Sequence, residues 1–348
     1  MQRIPATPPE IAPLGSLDER PFWSVMIPAY NCSVFLPDAI ESVLAQDPGE
    51  AMMQIEVVDD CSMDEDVEAL VKRLGKGRVL YYRQEKNVGS LRNFETCINR
   101  AKGYHIHLLH GDDRVKSGFY SSLKRLFDNF PDAGAAYCAW NYIDDQGNIL
   151  RPSRIEAEAE CVIDNCLSLL AEQQLLQYVC IAVKREVYEK LGSFYGVTYG
   201  EDWIMWARIA KEYPIAYLPK ILAEYREHES SISNTSFISG KNIRDISKVF
   251  SIINSYLPKE KQKKASLAAR KTYCYWALGV TCDIWHTTRN KEIVYNQLRE
   301  IVKLYKDPKV LKITAGLLFL MQVEPFSKYL KRIINFNPKN EQNNTGQN

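Results

Sequence analysis

A chain of 348 residues, 46% hydrophobic and 25% charged, has the composition of an ordinary globular protein with one large or two smaller domains. Wholesale disorder is excluded, and a sizeable core is available on area grounds. The net charge of +1 hides an asymmetry: residues 241–348 carry a balance of +12 and residues 1–240 one of −11. An acidic front and a basic back imply different tasks. Nine cysteines without a CxxC pair read as reduced thiols of a cytosolic protein and argue against a zinc site. The opening MQRIPATPPEIAPLG lacks an apolar segment and reads as a flexible lead-in rather than a secretion signal. The longest apolar stretch, near Ile313–Val323, is about half of the roughly 20 residues that span a bilayer. A soluble or surface-lying protein is expected.

From Trp23 onward, strand and helix patterns alternate. WSVMIP reads as a buried strand and LPDAIESVLAQ as a helix with apolar residues at helical spacing. IEVVDD is a second strand, and DVEALVKRL a second helix with Asp64 as its N-cap. VLYYR, LRNFETCINRA, HIHLLH and SGFYSSLKRLF continue the alternation, with Ser117 capping the last helix, and AGAAYCAW is a fifth strand. Strands separated by single helices imply parallel crossovers, hence an α/β fold with a doubly wound, Rossmann-like, mostly parallel sheet flanked by helices. IDDQGNIL reads as a hairpin turning at Gln146-Gly147-Asn148. After about residue 240, the segments Asn242–Tyr256, Lys261–His286, Lys291–Lys306 and Val310–Asn335 favour helix. The expected organisation is a lead-in over 1–21, an α/β domain over 22–240, a helical C-terminal region over 241–336 and a disordered polar tail over 337–348.

The strongest chemical signal is HIHLLHGDDR, His105–Arg114, an apolar strand running into Asp112 and Asp113. Open α/β sheets bind ligands at the carboxyl ends of their strands. Two like charges placed there repel unless a cation or polar ligand intervenes. Mg²⁺ or Mn²⁺, bound through one or two carboxylates plus substrate phosphates, suits that pattern; the alternative is turn capping. VVDDCSMD puts Asp59 and Asp60 at another strand tip, where a carboxylate can accept from a uracil imide or a ribose hydroxyl, or equally cap a helix. SVMIPAYN ends a strand on Pro28, Ala29 and Tyr30, whose backbone could hold a planar base; most such junctions are plain turns. NVGSLRNF leads through a glycine turn into a helix bearing Arg92, a group suited to a diphosphate and, taken alone, more often a solvated helix arginine. YGEDWIMWARIA opens a helix on Glu201 and Asp202, which fits a general base or a dipole-stabilising cap. His228 in YREHESSIS reads in isolation as a surface imidazole, while His105 and His107 alternate along a strand and read as structural.

In this order, SVMIPAYN, LPDAIESVLAQ, VVDDCSMD, NVGSLRNF, AKGYHIHLLHGDDRV, VYEKLGSF, YGEDWIMWARIA and YREHESSIS resemble the family 2 glycosyltransferases of the bacterial cell-surface polysaccharide type, over roughly residues 22–235. The resemblance implies a GT-A fold and an inverting transfer of a sugar from a nucleotide-diphosphate donor, UDP-sugar favoured, to a glycan or lipid-linked glycan hydroxyl. It places Pro28, Ala29 and Tyr30 around the nucleoside, Asp60 with Asp59 on the uracil or ribose, and Arg92 near the diphosphate. The family's Asp-x-Asp strand end reads here His110-Gly111-Asp112-Asp113. Asp112 matches the metal-binding acid, Asp113 its neighbour, and His110 stands where the first acid is usual, leaving the site one carboxylate short. Asp202 matches the catalytic base, with Glu201 beside it, and His228 matches a histidine near the diphosphate or metal. The implied cofactor is Mn²⁺ or Mg²⁺.

Segment Asp164–Val179 is, from position alone, the expected acceptor contact. The basic helices suit an anionic membrane face as well as they suit a solvated domain or a homo-oligomer interface, and an enzyme on the inner face of a membrane fits a lipid-linked acceptor. Two competing readings remain: a sugar-nucleotide-binding module without catalysis, motivated by His110, and a nucleotidyltransferase, for which PAYNCS lacks the usual glycine-rich basic loop. An acidic cleft argues against nucleic acid.

Overall fold

The computed structural model describes residues 2–15, 19–229 and 231–322. They divide into two units: residues up to 235 together with 245–269, and residues 236–244 with those from 270 onward.

The first unit opens with β1 (Trp23–Ala29), α1 (Leu36–Leu44), β2 (Met53–Asp59), α2 (Val67–Gly75), β3 (Leu80–Arg83), α3 (Ser90–Arg100), β4 (His105–Leu108), β5 (Arg114–Val115) and α4 (Phe119–Asn129). It continues with β6 (Ala135–Ile143), β7 (Ile149–Pro152), β8 (Cys161–Val162), α5 (Cys166–Leu170), a 3₁₀ turn (Tyr178–Cys180), β9 (Ile181–Lys184), α6 (Arg185–Leu191), α7 (Glu201–Glu212) and β10 (Ile215–Arg226). The main sheet runs β3-β2-β1-β4-β9-β6-β10-β5. Strands β1 to β4 pair in parallel, as do β6 and β10, whereas β9 is antiparallel to both β4 and β6. The sheet is thus mixed and mostly parallel, as the alternation of strands and helices implies.

All seven residues of β1 and of β2 are buried, because helices cover both faces of a parallel sheet and leave no solvent side. On α1 the buried residues Leu36, Ala39, Ile40 and Val43 form one apolar stripe at helical spacing. The irregular pairing of β10 with β6, between Leu218 and Ala223, falls at Pro219, which cannot donate to the ladder. The turn at Gly147 joins β6 to β7, as the sequence anticipates.

Two caps differ from expectation. Asp66, not Asp64, caps α2 by accepting from Ala69 N, and Asp64 accepts from Ser33 N instead. Gly118 precedes α4, and no side chain caps it. The lead-in also departs from the flexible segment expected. Ile11 is buried, Gly196 N donates to Pro5 O at 2.9 Å, Ser193 N to Pro9 O at 2.8 Å, and Arg185 donates to Ala12 O. Proline carbonyls with no competing N–H of their own make this pinning cheap in entropy.

Beyond β10 come α8 (Ile232–Ile238), α9 (Lys241–Asn254), α10 (Lys259–Thr288), α11 (Lys291–Leu304) and α12 (Pro308–Leu320). In the second unit Val294, Leu298 and Ile301 of α11 are buried, and Gln297 exchanges amide hydrogen bonds with Asn242. Residues 323–335 of the last expected helix and the tail over 337–348 lie outside the described residues. No described helix is long and apolar enough to cross a membrane.

Candidate functional site

Strands β1, β2 and β4 point the same way, so Ala29, Asp59 and the segment after Leu108 emerge at one edge of the sheet. That edge is held together by main chain. Asp60 N donates to Ala29 O at 2.8 Å, and Gly111 N donates to Pro28 O at 3.2 Å. Pro28 and Ala29 are therefore buried ties between loops, and Tyr30, at 46% exposure, is the part of that triplet left to meet a ligand. Gly111 has a steric reason. A Cβ there would come within 2.8 Å of Cys32 Sγ and 3.4 Å of Pro28 O, so a larger residue would push the following carboxylates off the strand end.

Asp59 is fully buried and fully engaged. Its Oδ1 accepts from Ser62 N and Oγ, and its Oδ2 accepts from Tyr81 OH at 2.8 Å and Arg83 at 2.5 Å. With those four bonds made it anchors β2 to β3, in place of the expected contact to a uracil or ribose. Asp60 accepts from Val88 N at 2.7 Å, Gly89 N at 2.9 Å and Asn87 Nδ2 at 3.0 Å. It orders the turn before α3, and burial pushes its carboxyl up against the opposing pull of those amides. Arg92 does not stand free for a diphosphate: its guanidinium pairs with Glu95 at 2.6 Å and donates to Gln2 O. Arg3 of the lead-in donates to Asn87 Oδ1, and a Gly89 Cβ would come within 3.0 Å of its guanidinium. A lone arginine in a proline-rich leader carries no pattern that could have announced this.

The HGDD turn is the densest part of the site. Asp112 Oδ2 lies 3.0 Å from His228 Nε2, whose ring leans on Phe35. Asp113 is 1% exposed; its Oδ1 accepts from Arg226 N at 2.8 Å, while its Oδ2 is buried without a hydrogen-bond partner. Arg226 also donates to Asp112 O at 2.8 Å, to the carbonyls of Asp144 and Asp145, and to Asp38 at 2.7 Å. It fastens the end of β10 to the acidic turn, and it stands inside the quoted YREHESSIS, two residues before His228. Burial raises the Asp112 carboxyl, but the His228 hydrogen bond and the neighbouring imidazoles outweigh it and hold the group below its ordinary value. Asp113 goes the other way, raised well above by burial and by Asp112 beside it. Ligand atoms of His110, Asp112 and Asp113 lie within 4.8 Å of one another. An oxygen and an imidazole nitrogen buried without partners fit a divalent cation, because such groups otherwise go unsatisfied at a cost of about 1–3 kcal/mol each.

The acidic pair of α7 faces the same region. Gly200, at φ +89°, turns the chain into the helix in a conformation that a side chain resists. Asp202 is 6% exposed; its Oδ1 accepts from Trp203 N at 2.7 Å and its Oδ2 from Gln174 Nε2 at 2.5 Å. Burial raises its carboxyl to about 7, against those hydrogen bonds. Tyr178 joins the two clusters: its hydroxyl lies 3.3 Å from Glu201 Oε1, and its ring centroid is 4.3 Å from that of His110. Gln174 and Tyr178 both belong to Asp164–Val179, so that segment contacts the acidic pair directly. Tyr178 thus bridges Glu201, at the start of α7, to His110 of the acidic turn. A cavity of about 240 Å³ lined by Asn129, Phe130, Val162 and Pro214 sits at the start of β6 and β10, the far end of the sheet from this chemistry.

Residues 24–192 match the family described as glycosyl transferase family 2. The putative teichuronic acid biosynthesis glycosyltransferase TuaG of Bacillus subtilis is 24% identical over 230 residues, 64% of this chain and 85% of TuaG. Among solved structures, S. aureus TarS 1-349 in complex with UDP-GlcNAc superposes with TM-score 0.60 at 14% identity, covering 86% of this chain and 87% of that one. The mannosyltransferase PcManGT of Pyrobaculum calidifontis, in complex with GDP-Man and Mn²⁺, gives 0.54 at 16% identity over 90% and 84%. The chain spans 36% of the length of one curated relative it matches and 13% of another.

Proposed function

This chain carries a family 2 glycosyltransferase domain of GT-A fold, and from that premise we propose that it moves a sugar from a nucleotide-diphosphate donor to an acceptor hydroxyl with inversion. The observation that carries the proposal is a buried carboxyl, Asp202, raised to about 7, whose neighbour Glu201 is bonded by Tyr178, the residue whose ring packs on His110 of the acidic turn. A base poised near neutrality beside an electrophile-stabilising cluster is the arrangement that acid–base catalysis needs.

Asp202 accepts the acceptor's hydroxyl proton as that oxygen bonds to the anomeric carbon. The bond from this carbon to the phosphate oxygen breaks, and the nucleoside diphosphate leaves with the electron pair. Asp112, Asp113 and His110 would hold a divalent ion, which would supply Lewis-acid charge to a departing diphosphate. Gln174 and Trp203 N fix the Asp202 carboxylate, and Tyr178 shields the pair from water. Asp60 and Tyr30 border the nucleoside. Arg3 takes the cationic place first expected of Arg92, because Arg92 is already paired.

TuaG's part in teichuronic acid biosynthesis and TarS's UDP-GlcNAc favour a UDP-sugar and a cell-surface glycan or lipid-linked acceptor; PcManGT's GDP-Man leaves a guanine donor as the second choice. A screen of UDP-, GDP- and dTDP-sugars with Mn²⁺ and glycan acceptors tests the reading. The expected result is acceptor-stimulated release of UDP. Background turnover with every donor and acceptor would leave the non-catalytic binding module. For the membrane partner, sedimentation with anionic liposomes at low salt is expected to carry the protein down through its basic helices, at about 1 kcal/mol per Lys or Arg near the surface. No binding there would assign those helices to solvent or to a second copy.

A further inference from the structure

The lead-in runs from beside α6 to the turn that holds Asp60, and it is tied down along the way. Leu14 N donates to Glu189 Oε1 and Ala12 N to Asn99 Oδ1, both at 3.3 Å. Arg185, itself 1% exposed, donates to Ala12 O at 3.0 Å. Ser193 N and Gly196 N hold Pro9 O and Pro5 O. A Cβ on Gly192 would come within 2.5 Å of Pro9 O, so the segment lies close against that loop. These ties, with Pro5 and Ile11 buried, account for the anchoring.

Arg3 lies beyond them, exposed, and is no part of the core. Its guanidinium donates to Asn87 Oδ1, while Arg92 Nε, donating to Gln2 O at 2.9 Å, steadies the backbone just before it. Asn87 passes the contact on: its Nδ2 donates to Asp60 O at 3.1 Å and to Asp60 Oδ2 at 3.0 Å. An amide has one accepting end and one donating end, so a guanidinium on the oxygen fixes which way round the group stands. Hydrogen bonds in series also polarise one another. Asp60 Oδ1 accepts from Val88 N, and a carboxylate oxygen has capacity for a second donor. Burial lifts this carboxyl, and the amides of Val88 and Gly89, then Arg3, draw it back toward the charged form. Anchoring alone would not need that side chain, because main-chain carbonyls already make the ties at Pro5, Pro9 and Ala12.

We propose that Arg3 is a positioning residue for the donor: acting through Asn87, it fixes the Asp60 carboxylate against the nucleoside of a nucleotide-diphosphate sugar. The lead-in is thereby a working part of the donor site. This rests on the proposed transfer reaction, but the first of its two tests needs no nucleotide.

That test is amide hydrogen exchange of the full chain, unaltered and as Arg3→Ala. The N–H groups of Val88 and Gly89, which Asp60 holds at 2.7 and 2.9 Å, are expected to exchange about fivefold faster or more in the variant. The amides of β1 and β2 are expected to keep their protection, which shows that the variant is folded. Unchanged exchange at Val88 and Gly89 would overturn the proposal. The second test is calorimetric titration with UDP in the presence of MnCl₂. Arg3→Ala is expected to weaken UDP about threefold to tenfold, the size of one hydrogen bond. In an Asn87→Ala background the same substitution is expected to cost less than about twofold, since groups acting in series are not additive. Equal UDP affinity in Arg3→Ala would overturn the proposal. So would the full loss persisting in Asn87→Ala, which would put the guanidinium directly on the diphosphate. Faster exchange in Arg3→Ala, with none of UDP, GDP and dTDP bound by the unaltered chain, would sink the transfer reaction and leave the hold of Arg3 on Asp60 standing.

Discussion

Asp202→Asn is expected to lower transfer by about 10²–10⁴-fold, the span a positioned general base contributes, while donor binding stays within a few-fold. An amide cannot take the acceptor's proton, yet it keeps an oxygen for Trp203 N, and Gln174 can turn its own amide to present oxygen. Transfer by the unaltered enzyme should rise with pH and level off above about 7, where the Asp202 carboxyl gives up its proton; that limb should vanish in the variant. Stability should move in the opposite direction. The folded-state value is raised from 3.8 to about 7, so the native chain holds this proton more tightly than the unfolded one. The contribution is complete below pH 4, falls as pH climbs through the window from 4 to 7, and is gone above it. The lost stabilisation is on the order of 4 kcal/mol at most. Asp202→Asn should therefore melt higher than the unaltered protein at pH 8 and about equally at pH 4. Unimpaired transfer, read by acceptor-dependent release of nucleoside diphosphate, would remove Asp202 from the mechanism. Weakened donor binding instead would make it a positioning group.

Much of the fold was legible because parallel strands buried on both faces leave continuous apolar runs. WSVMIP, IEVV and HIHLLH are such runs, and the helices between them carry clean stripes such as Leu36, Ala39, Ile40 and Val43. What escaped were short or interrupted elements. β9 is four residues, IAVK, too brief for a period to register, yet it is the antiparallel strand that joins the two parallel halves of the sheet. β10 holds Pro219 in mid-strand, which reads as a break until the bulge against β6 explains it. The caps were misplaced by one or two residues for a related reason: Asp64 and Asp66 are chemically equal candidates, and the bond from Ser33 N to Asp64 is long-range.

At the site, residue type was readable and its partners were not. Asp59 and Asp60 look alike in VVDDCSMD, but Tyr81 and Arg83 of the neighbouring strand take up the first and the turn at Asn87–Gly89 takes up the second. Arg92 looked available until Glu95, one turn on, paired with it. Gln174 and Tyr178 had position in their favour and nothing else, since a lone glutamine or tyrosine is chemically unremarked until a carboxylate faces it. Arg226 sat inside a quoted motif and was passed over for the histidine two residues on, although its five hydrogen bonds tie the acidic turn to Asp38 and to the carbonyls of Asp144 and Asp145.

Asp112→Asn should abolish cation binding and donor turnover together, and it should do so without unfolding the chain. The distinction from Asp113 is structural. The Asp112 carbonyl, not its side chain, receives Arg226 Nε at 2.8 Å, so the turn survives the substitution. Its carboxylate, by contrast, lies 3.0 Å from His228 Nε2 and is held toward the ionised form by that contact and by the His110 imidazole, poised as the site's anionic donor. Removing the charge leaves a cation with no net negative partner at that position. The expected loss in turnover is about 10²–10³-fold, the size found when one electrostatic stabiliser is removed from a reacting centre. Asp113→Asn is the control for fold rather than charge. Its Oδ1 accepts from Arg226 N, a bond an amide oxygen can keep, and burial already favours the uncharged acid there. Its melting temperature should therefore stay close to that of the unaltered protein, whereas Asp113→Ala, which strands a buried N–H, should cost about 1–3 kcal/mol. Mn²⁺ titration and thermal melts on the three variants separate these outcomes. Full cation binding by Asp112→Asn, with turnover intact, would mean that the acidic turn serves the architecture of the sheet edge and that the chemistry lies elsewhere.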